Sequence, residues 1–137
     1  MYKRQQTHYI AEELQNLILH KHDIDKNLIS RKYSLIDARN PERFKGEVKE
    51  PREGLKSGSI PGSKNLPFKK CLNPDNTFKS SDELKSIFRS LNLSENLAFT
   101  CGSGITASVL GLANYIINDT NPIIYDGSWS EYGLKKK

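Results

Sequence analysis

The chain contains the sequence Asn96-Leu97-Ala98-Phe99-Thr100-Cys101-Gly102-Ser103-Gly104-Ile105-Thr106, in which an apolar segment meets a glycine-rich one. Residues 96–100 have the pattern of a buried strand. The apolar residues 105–117 that follow predict a buried helix. Cys101 is therefore expected where a strand turns tightly into a helix. The two glycines let the backbone curl around a group bound at the cysteine.

This setting favours a reactive cysteine. Successive backbone N–H groups in such a turn form an anion-binding nest, and the positive end of the helix dipole points at it. Both effects favour the thiolate, which is the nucleophilic form of the side chain. The alternative is a buried structural cysteine, since free cysteines are among the most buried residues. We predict that Cys101 is the catalytic nucleophile.

Composition limits the classes of function. The chain has 137 residues, 36% of them hydrophobic, and a mean hydropathy of −0.64, which predicts one polar domain with a core. It lacks both the ~20-residue apolar run of a membrane span and the apolar N-terminal core of a signal peptide, so we expect no membrane association and a cytoplasmic location. The net charge is +5, but no basic stripe interleaved with aromatic residues indicates nucleic-acid binding.

The cysteines and histidines predict no metal site. Cys71 and Cys101 suggest neither a disulfide framework nor a Cys-x-x-Cys ligand pair. The histidines, at positions 8, 20 and 22, all lie near the N-terminus, so a Cys–His pair would need the fold to bring one of them back. We expect no metal and no cofactor, and we interpret Cys71 as incidental.

Helix and strand patterns alternate along the chain, which predicts an α/β domain with a mainly parallel sheet. Apolar residues at helical spacing predict a helix over residues 9–20, and a capping box of Ser80 and Glu83 predicts the start of another. Strands are predicted over residues 33–36, 96–100 and 123–125. The long proline-rich segment 40–76 is predicted to be mostly loop, and residues 126–129 a turn.

Asp37, Cys101 and Asp126 each follow a predicted strand directly. In open parallel sheets, ligands bind beyond the carboxyl ends of the strands. These three residues are therefore expected at one edge of the sheet, close to a binding site.

Several motifs occur in an order that resembles the rhodanese (sulfurtransferase) family, most of all the catalytic C-terminal domain of 3-mercaptopyruvate and thiosulfate sulfurtransferases. The motif-bearing core covers about residues 30–133 of a single domain expected over residues 1–137. The matching pieces are Asp37-Ala38-Arg39, Arg43-Phe44-x-Gly46, Glu50-Pro51-Arg52, Gly58-x-Ile60-Pro61-Gly62, Asn65-x-Pro67-Phe68, Cys101-Gly102-Ser103-Gly104-Ile105-Thr106-Ala107 and Tyr125-Asp126-Gly127-Ser128-Trp129-Ser130-Glu131.

The resemblance implies a rhodanese fold, with a central parallel sheet flanked by helices, and a ping-pong sulfur transfer. Cys101 takes a sulfane sulfur from a small-molecule donor, becomes a persulfide, and passes the sulfur to cyanide or to a thiol, either a small thiol or a thioredoxin-like protein. The backbone amides of the anion-hole loop are expected to stabilise the anionic outer sulfur. That loop consists of Gly102, Ser103, Gly104, Ile105 and Thr106.

Arg43 and Arg52 are the predicted substrate-binding residues. Arginine grips a carboxylate through two parallel hydrogen bonds, and a 2-keto acid donor carries such a group. By resemblance, these two residues hold the donor; the alternative is a surface salt bridge with a neighbouring glutamate. Thiosulfate-preferring relatives tend to have basic residues in the cysteine loop, whereas this loop is neutral, which favours mercaptopyruvate over thiosulfate.

Length is the main departure from the family pattern, because the similar enzymes have two rhodanese domains and their N-terminal domain contributes to the active-site cleft. Two interpretations stay open. Either a second copy of the chain or a second rhodanese domain completes the site, or the site is more open and less efficient.

Two other functions are alternatives to sulfur transfer. Related folds host phosphatases and arsenate reductases, but these need arginine six residues after the cysteine, where this chain has Ala107. The second alternative is a partner-binding module that carries persulfide with little turnover of its own.

Overall fold

The computed structural model describes residues 8, 10, 11 and 14–135. In this part of the chain, five strands form one sheet in the order β1-β5-β4-β2-β3. Every pairing is parallel, which confirms the predicted α/β class. The strands are β1 (Ile18–Leu19), β2 (Ser34–Asp37), β3 (Lys64–Asn65), β4 (Leu97–Thr100) and β5 (Ile124–Tyr125).

Helices cover both faces of this sheet. The helices are α1 (Lys21–Ser30), α2 (Pro41–Lys45), α3 (Ser81–Arg89), α4 (Ile105–Asn118) and α5 (Ser128–Tyr132), and short 3-10 turns span Gln15–Leu17 and Phe68–Cys71. The predicted strand and helix around Cys101 are confirmed as β4 and α4. The capping box that begins α3 is confirmed as well: the Glu83 N–H donates to Ser80 Oγ at 3.3 Å, and the Ser80 N–H donates to Glu83 Oε2 at 3.0 Å.

The predicted helix over residues 9–20 is wrong where it can be checked. Its residues 9, 12 and 13 lie outside the described residues; residues 15–17 form a 3-10 turn and Ile18–Leu19 form β1. Leu19 pairs with Tyr125 at the edge of the sheet, so contacts with a distant strand override the local helical spacing. The helix follows instead as α1, which begins where the His20 N–H donates to Asp23 Oδ2 at 2.9 Å.

The segment 40–76 is more ordered than predicted, because it contains α2, β3 and a 3-10 turn. Asn40 caps α2 by accepting a hydrogen bond from the Arg43 N–H at 3.2 Å, and Pro41 occupies the first helical turn, where its missing N–H costs nothing. The predicted turn at residues 126–129 was also wrong in part, since α5 begins at Ser128. Both short helices carry residues to the cysteine loop.

The core has two layers, one on each face of the sheet. Successive residues of a central strand point to opposite faces: in β4, Phe99 packs with the α3 and α4 side, and Ala98 packs with the α1 and α5 side. Because both faces are covered, residues 97–99 form a continuous apolar run. No helix among the described residues has the length and apolar character needed to cross a membrane.

Truncation of Leu110 should destabilise the protein, because this α4 side chain is fully buried against the sheet. We expect Leu110→Ala to lower the free energy of unfolding by about 2–5 kcal/mol through lost burial and a residual cavity. Ile29→Ala is the control, since Ile29 on α1 is 89% exposed and its loss should change stability by less than about 0.5 kcal/mol. Equal effects in urea unfolding would contradict this packing.

Candidate active site

Cys101 lies at the carboxyl end of β4, as the sequence predicted, and at the floor of a cleft. The residue is 2% exposed. The cleft has a volume of about 330 Å³, and its walls include Arg43, Arg52, Ser103 and Thr106. The fold therefore brings the predicted nucleophile, loop and arginines to one cavity.

The cysteine loop directs hydrogen-bond donors at the sulfur. The Gly104 N–H donates to Cys101 Sγ at 3.1 Å. Gly104 has φ of +89°, and a Cβ there would lie 3.0 Å from the Asp126 carbonyl oxygen, so both backbone conformation and space favour glycine. Asp126 thus borders the loop through its backbone.

These donors lower the pKa of the Cys101 thiol. Burial acts in the opposite direction and is the largest single influence, but it is outweighed by the Thr106 hydroxyl and by the backbone N–H groups of Ser103, Ala107 and Thr106. The net result is a pKa below the ordinary value of a thiol. Residues 103–106 of the predicted anion hole include three of these donors, while Ala107 was not anticipated.

The start of α5 fixes the cysteine loop through two backbone hydrogen bonds. The Trp129 N–H donates to the Cys101 carbonyl at 3.0 Å, and the Ser130 N–H donates to the Gly102 carbonyl at 2.9 Å. In a trans peptide, the C=O and N–H groups point in opposite directions. Because the Gly102 carbonyl faces α5, the N–H of Ser103 faces the sulfur.

Ser128 is a site residue that the sequence analysis missed. Its Oγ accepts a hydrogen bond from the Cys101 N–H at 3.2 Å and donates to the Tyr125 carbonyl at 2.8 Å. It also has φ of +50°, in the left-handed region that few non-glycine residues adopt. The stretch 125–131 was among the matching motifs, but nothing in its letters distinguishes a hydroxyl that anchors the loop from one in a surface turn.

Arg43 is held over the loop by a buried carboxylate. Its Nε and Nη2 donate to the two oxygens of Glu50 at 3.2 and 2.5 Å, and the Glu50 side chain is 1% exposed. A Cβ on Gly102 would lie 2.9 Å from Arg43 Nη2, so the guanidinium rests directly on the loop. Hydrogen bonding to Glu50 raises the pKa of Arg43, despite the opposing effect of burial.

Glu50 is shared with a second arginine. Arg39 Nη1 donates to Glu50 Oε1 at 3.0 Å, and Arg39 Nη2 donates to Asp37 Oδ2 at 2.7 Å. Arg39 and Asp37 are each 1% exposed, and the Arg39 guanidinium stacks 4.7 Å from the Trp129 ring centre. Asp37 therefore lies at the predicted edge but is committed to this buried ion cluster.

Arg52 also lines the cleft but has a different hydrogen-bond partner. Its Nη1 donates to Ser130 Oγ at 2.6 Å, and Ser130 Oγ in turn donates to the Gly102 carbonyl at 2.5 Å. Within the described part of the chain, Arg52 makes no ion pair. The expected alternative, a salt bridge to a glutamate, applies to Arg43 and not to Arg52.

The remaining candidates lie away from the sulfur or contribute backbone alone. Ile105 is 75% exposed at the mouth of the cleft. Cys71 is fully buried in the core, and burial raises its pKa to about 11. His20 and His22 stack on each other at the start of α1 and do not line the cleft. Among the described residues, no group of three or more His, Cys, Asp or Glu side chains is placed to bind a metal.

A family model and individual relatives among known proteins all match this chain over most of its length. The family described as "Rhodanese-like domain" matches residues 12–135. Human 3-mercaptopyruvate sulfurtransferase is 39% identical over 84% of this chain and 39% of its own length. Thiosulfate sulfurtransferase of Cricetulus griseus is 42% identical over 78% of this chain and 37% of its own length.

A solved structure adds to these matches. The sulfur transferase subunit associated in sub-stoichiometric amount with yeast mitochondrial complex I superposes with a TM-score of 0.76 and 34% identity, over 90% of this chain and 45% of that one. The chain therefore spans less than half the length of each of these relatives.

The pH dependence of alkylation should distinguish the two cysteines. The Cys101 thiolate forms at lower pH than an ordinary thiol, so its rate of reaction with iodoacetamide should reach half-maximum below pH 9.0. Thr106→Val removes a donor to the sulfur and should move that midpoint to higher pH. In Cys101→Ser only buried Cys71 remains, and the folded protein should react slowly throughout; a Cys101 midpoint at or above that of an ordinary thiol would contradict the geometry.

Proposed function

The chain belongs to the rhodanese-like family, and on that premise we propose that it is a sulfurtransferase that moves a sulfane sulfur from 3-mercaptopyruvate or thiosulfate through a persulfide on Cys101. The observation that carries the proposal is the ring of N–H and O–H donors around Cys101 Sγ, in a cleft that also holds Arg43 and Arg52. Relatives named for each of the two donors support the reaction class.

The first half-reaction needs a thiolate and a binding site for the anion that it becomes. The Cys101 thiolate attacks the donor sulfur, forming an S–S bond as the donor's bond to that sulfur breaks. With mercaptopyruvate, the electron pair of the C–S bond passes to carbon, which takes up the thiol proton and leaves as pyruvate. With thiosulfate, the pair leaves on sulfite. The outer sulfur of the persulfide carries the negative charge, and the loop N–H groups stabilise it.

The second half-reaction regenerates the thiolate. A nucleophilic acceptor attacks the outer sulfur, the S–S bond breaks, and the electron pair returns to Cys101. Cyanide leaves as thiocyanate; a thiol, small or on a thioredoxin-like protein, leaves as a persulfide. The open cleft, with exposed Ile105 at its mouth, is compatible with either type of acceptor.

The two arginines are proposed to bind the donor. A guanidinium has five N–H donors, and the contacts to Glu50 and Ser130 leave several of these on Arg43 and Arg52 for a carboxylate or sulfonate. The cysteine loop itself has no charged side chain. This favours mercaptopyruvate, with its single carboxylate, over the thiosulfate dianion.

A second candidate is a persulfide carrier that works with a partner. The observation favouring it is that Ile105, an apolar side chain at the mouth of the cleft, is 75% exposed and available to a partner surface. A second copy or a second rhodanese domain would then complete the cleft. The cytoplasmic location and the single-domain organisation expected from the sequence stay predictions.

Turnover measured with each donor, using cyanide and a dithiol as acceptors, tests the proposal. We expect activity with a preference for mercaptopyruvate, and loss of activity in Cys101→Ser. Arg52→Ala should raise the KM for mercaptopyruvate about tenfold or more, because it removes a charged hydrogen-bond donor to the carboxylate.

Arg31→Ala is a control for Arg52→Ala, since Arg31 follows α1 and does not line the cleft; its KM should match the unaltered protein. Persulfide formation without turnover would favour the carrier. Normal kinetics in Arg52→Ala would remove this arginine from donor binding, and no sulfur uptake from either donor would overturn the proposed function.

A further inference from the structure

The charged side chains of the cleft do not contribute equally. Besides Cys101, the ionised groups along its walls are Arg43, Arg52 and Glu50. Glu50 binds Arg43 through both carboxylate oxygens at 3.2 and 2.5 Å. Arg52, by contrast, contacts the neutral hydroxyl of Ser130 at 2.6 Å. The cleft therefore contains one arginine paired with a carboxylate and one without a carboxylate partner in the described part of the chain.

The burial of Glu50 makes this pairing strong. Its side chain is 1% exposed, and it also accepts a hydrogen bond from Arg39 at 3.0 Å. Arg39 is matched in turn by Asp37, with Arg39 Nη2 to Asp37 Oδ2 at 2.7 Å. Two arginines and two carboxylates thus form a neutral cluster. Because Glu50 and Arg39 are shielded from water and Arg43 is only partly exposed, solvent screens the pairing less than it would on an open surface.

We propose that Glu50 is a positioning residue that sets the charge specificity of the donor site: it holds Arg43 over the cysteine loop as a hydrogen-bond donor while cancelling its charge. The site then has one uncompensated positive charge, on Arg52, which matches a donor with one negative charge and disfavours a dianion. This inference rests on the proposed sulfur transfer and names the feature that selects the donor.

Hydrogen bonding and charge are separable in Arg43. Glu50 occupies Nε and one side of Nη2, so N–H groups on Nη1 and Nη2 stay available to a donor. Such a neutral pair still orients a carboxylate. The Arg43–Glu50 pair adds little net electrostatic field. It therefore adds little extra attraction for a donor that carries a second negative charge.

The ratio of kcat/KM for thiosulfate to that for mercaptopyruvate is the quantity to measure. Glu50→Gln keeps the shape of the side chain and an acceptor oxygen but removes the charge, so we expect the ratio to rise on the order of tenfold. Arg43→Gln leaves the cluster of Arg39, Asp37 and Glu50 with one net negative charge and should lower the ratio. The double variant, Arg43→Gln with Glu50→Gln, restores the charge balance, and its ratio should return close to that of the unaltered protein even if both rates are low.

Glu53→Gln is the matched control. Glu53 is an exposed carboxylate three residues further along the same segment, and its substitution changes the net charge of the chain by the same amount. Its ratio should stay unchanged. A purely structural role for Glu50 predicts a parallel loss for both donors with the ratio unaltered, and that result would overturn the proposal, as would an equal shift in Glu53→Gln.

The outcomes separate this inference from the proposed function. If the unaltered protein turns over neither donor, the sulfur-transfer proposal fails. If it turns over donors and the ratio ignores Glu50, only the charge assignment fails. Should Glu50→Gln not fold, the double variant still decides, because a ratio that stays as low as in Arg43→Gln alone contradicts the cancellation of charge.

Discussion

The backbone hydrogen bonds from α5 to the cysteine loop are the constraint on which the rest of the site depends. They fix the carbonyls of Cys101 and Gly102 against the N–H groups of Trp129 and Ser130. Since each peptide unit is planar and trans, turning these carbonyls away from the cleft turns the following N–H groups towards it. The sulfur is thus surrounded by donors although the loop carries no charged side chain, and its thiolate is favoured despite its burial.

The two arginines supply positive charge to the site, and they differ in the groups that hold them. Arg43 belongs to a buried cluster that also contains Arg39, Asp37 and Glu50, and losing one member leaves a buried charge without its partner, which is costly. Arg52 is linked through Ser130 to the Gly102 carbonyl. Arg52 and the cysteine loop therefore share Ser130 as a hydrogen-bond partner, so a substitution in one affects the other.

The sequence alone predicts those elements whose signals lie in neighbouring residues. The strand and helix around Cys101 follow from an apolar run and two glycines, and the start of α3 follows from a capping box. The short strand at Leu19 was missed because it exists only by pairing with Tyr125, more than a hundred residues away. The burial of Glu50 was also missed, since Glu50-Pro51-Arg52 reads as a polar loop and its buried ion pair is with Arg39, 11 residues away. Ser128 likewise gains its function from a contact 27 residues away.

The location of the first added sulfur shows whether Cys101 is the nucleophile. The protein would be exposed to mercaptopyruvate without an acceptor, digested, and examined by mass spectrometry at both cysteines. We expect one added sulfur atom on the Cys101 peptide and none on Cys71, whose raised pKa and full burial keep it protonated and inaccessible. Sulfur on Cys71 in the folded protein, or an unmodified Cys101 after exposure to both mercaptopyruvate and thiosulfate, would contradict the assignment of Cys101 as the nucleophile.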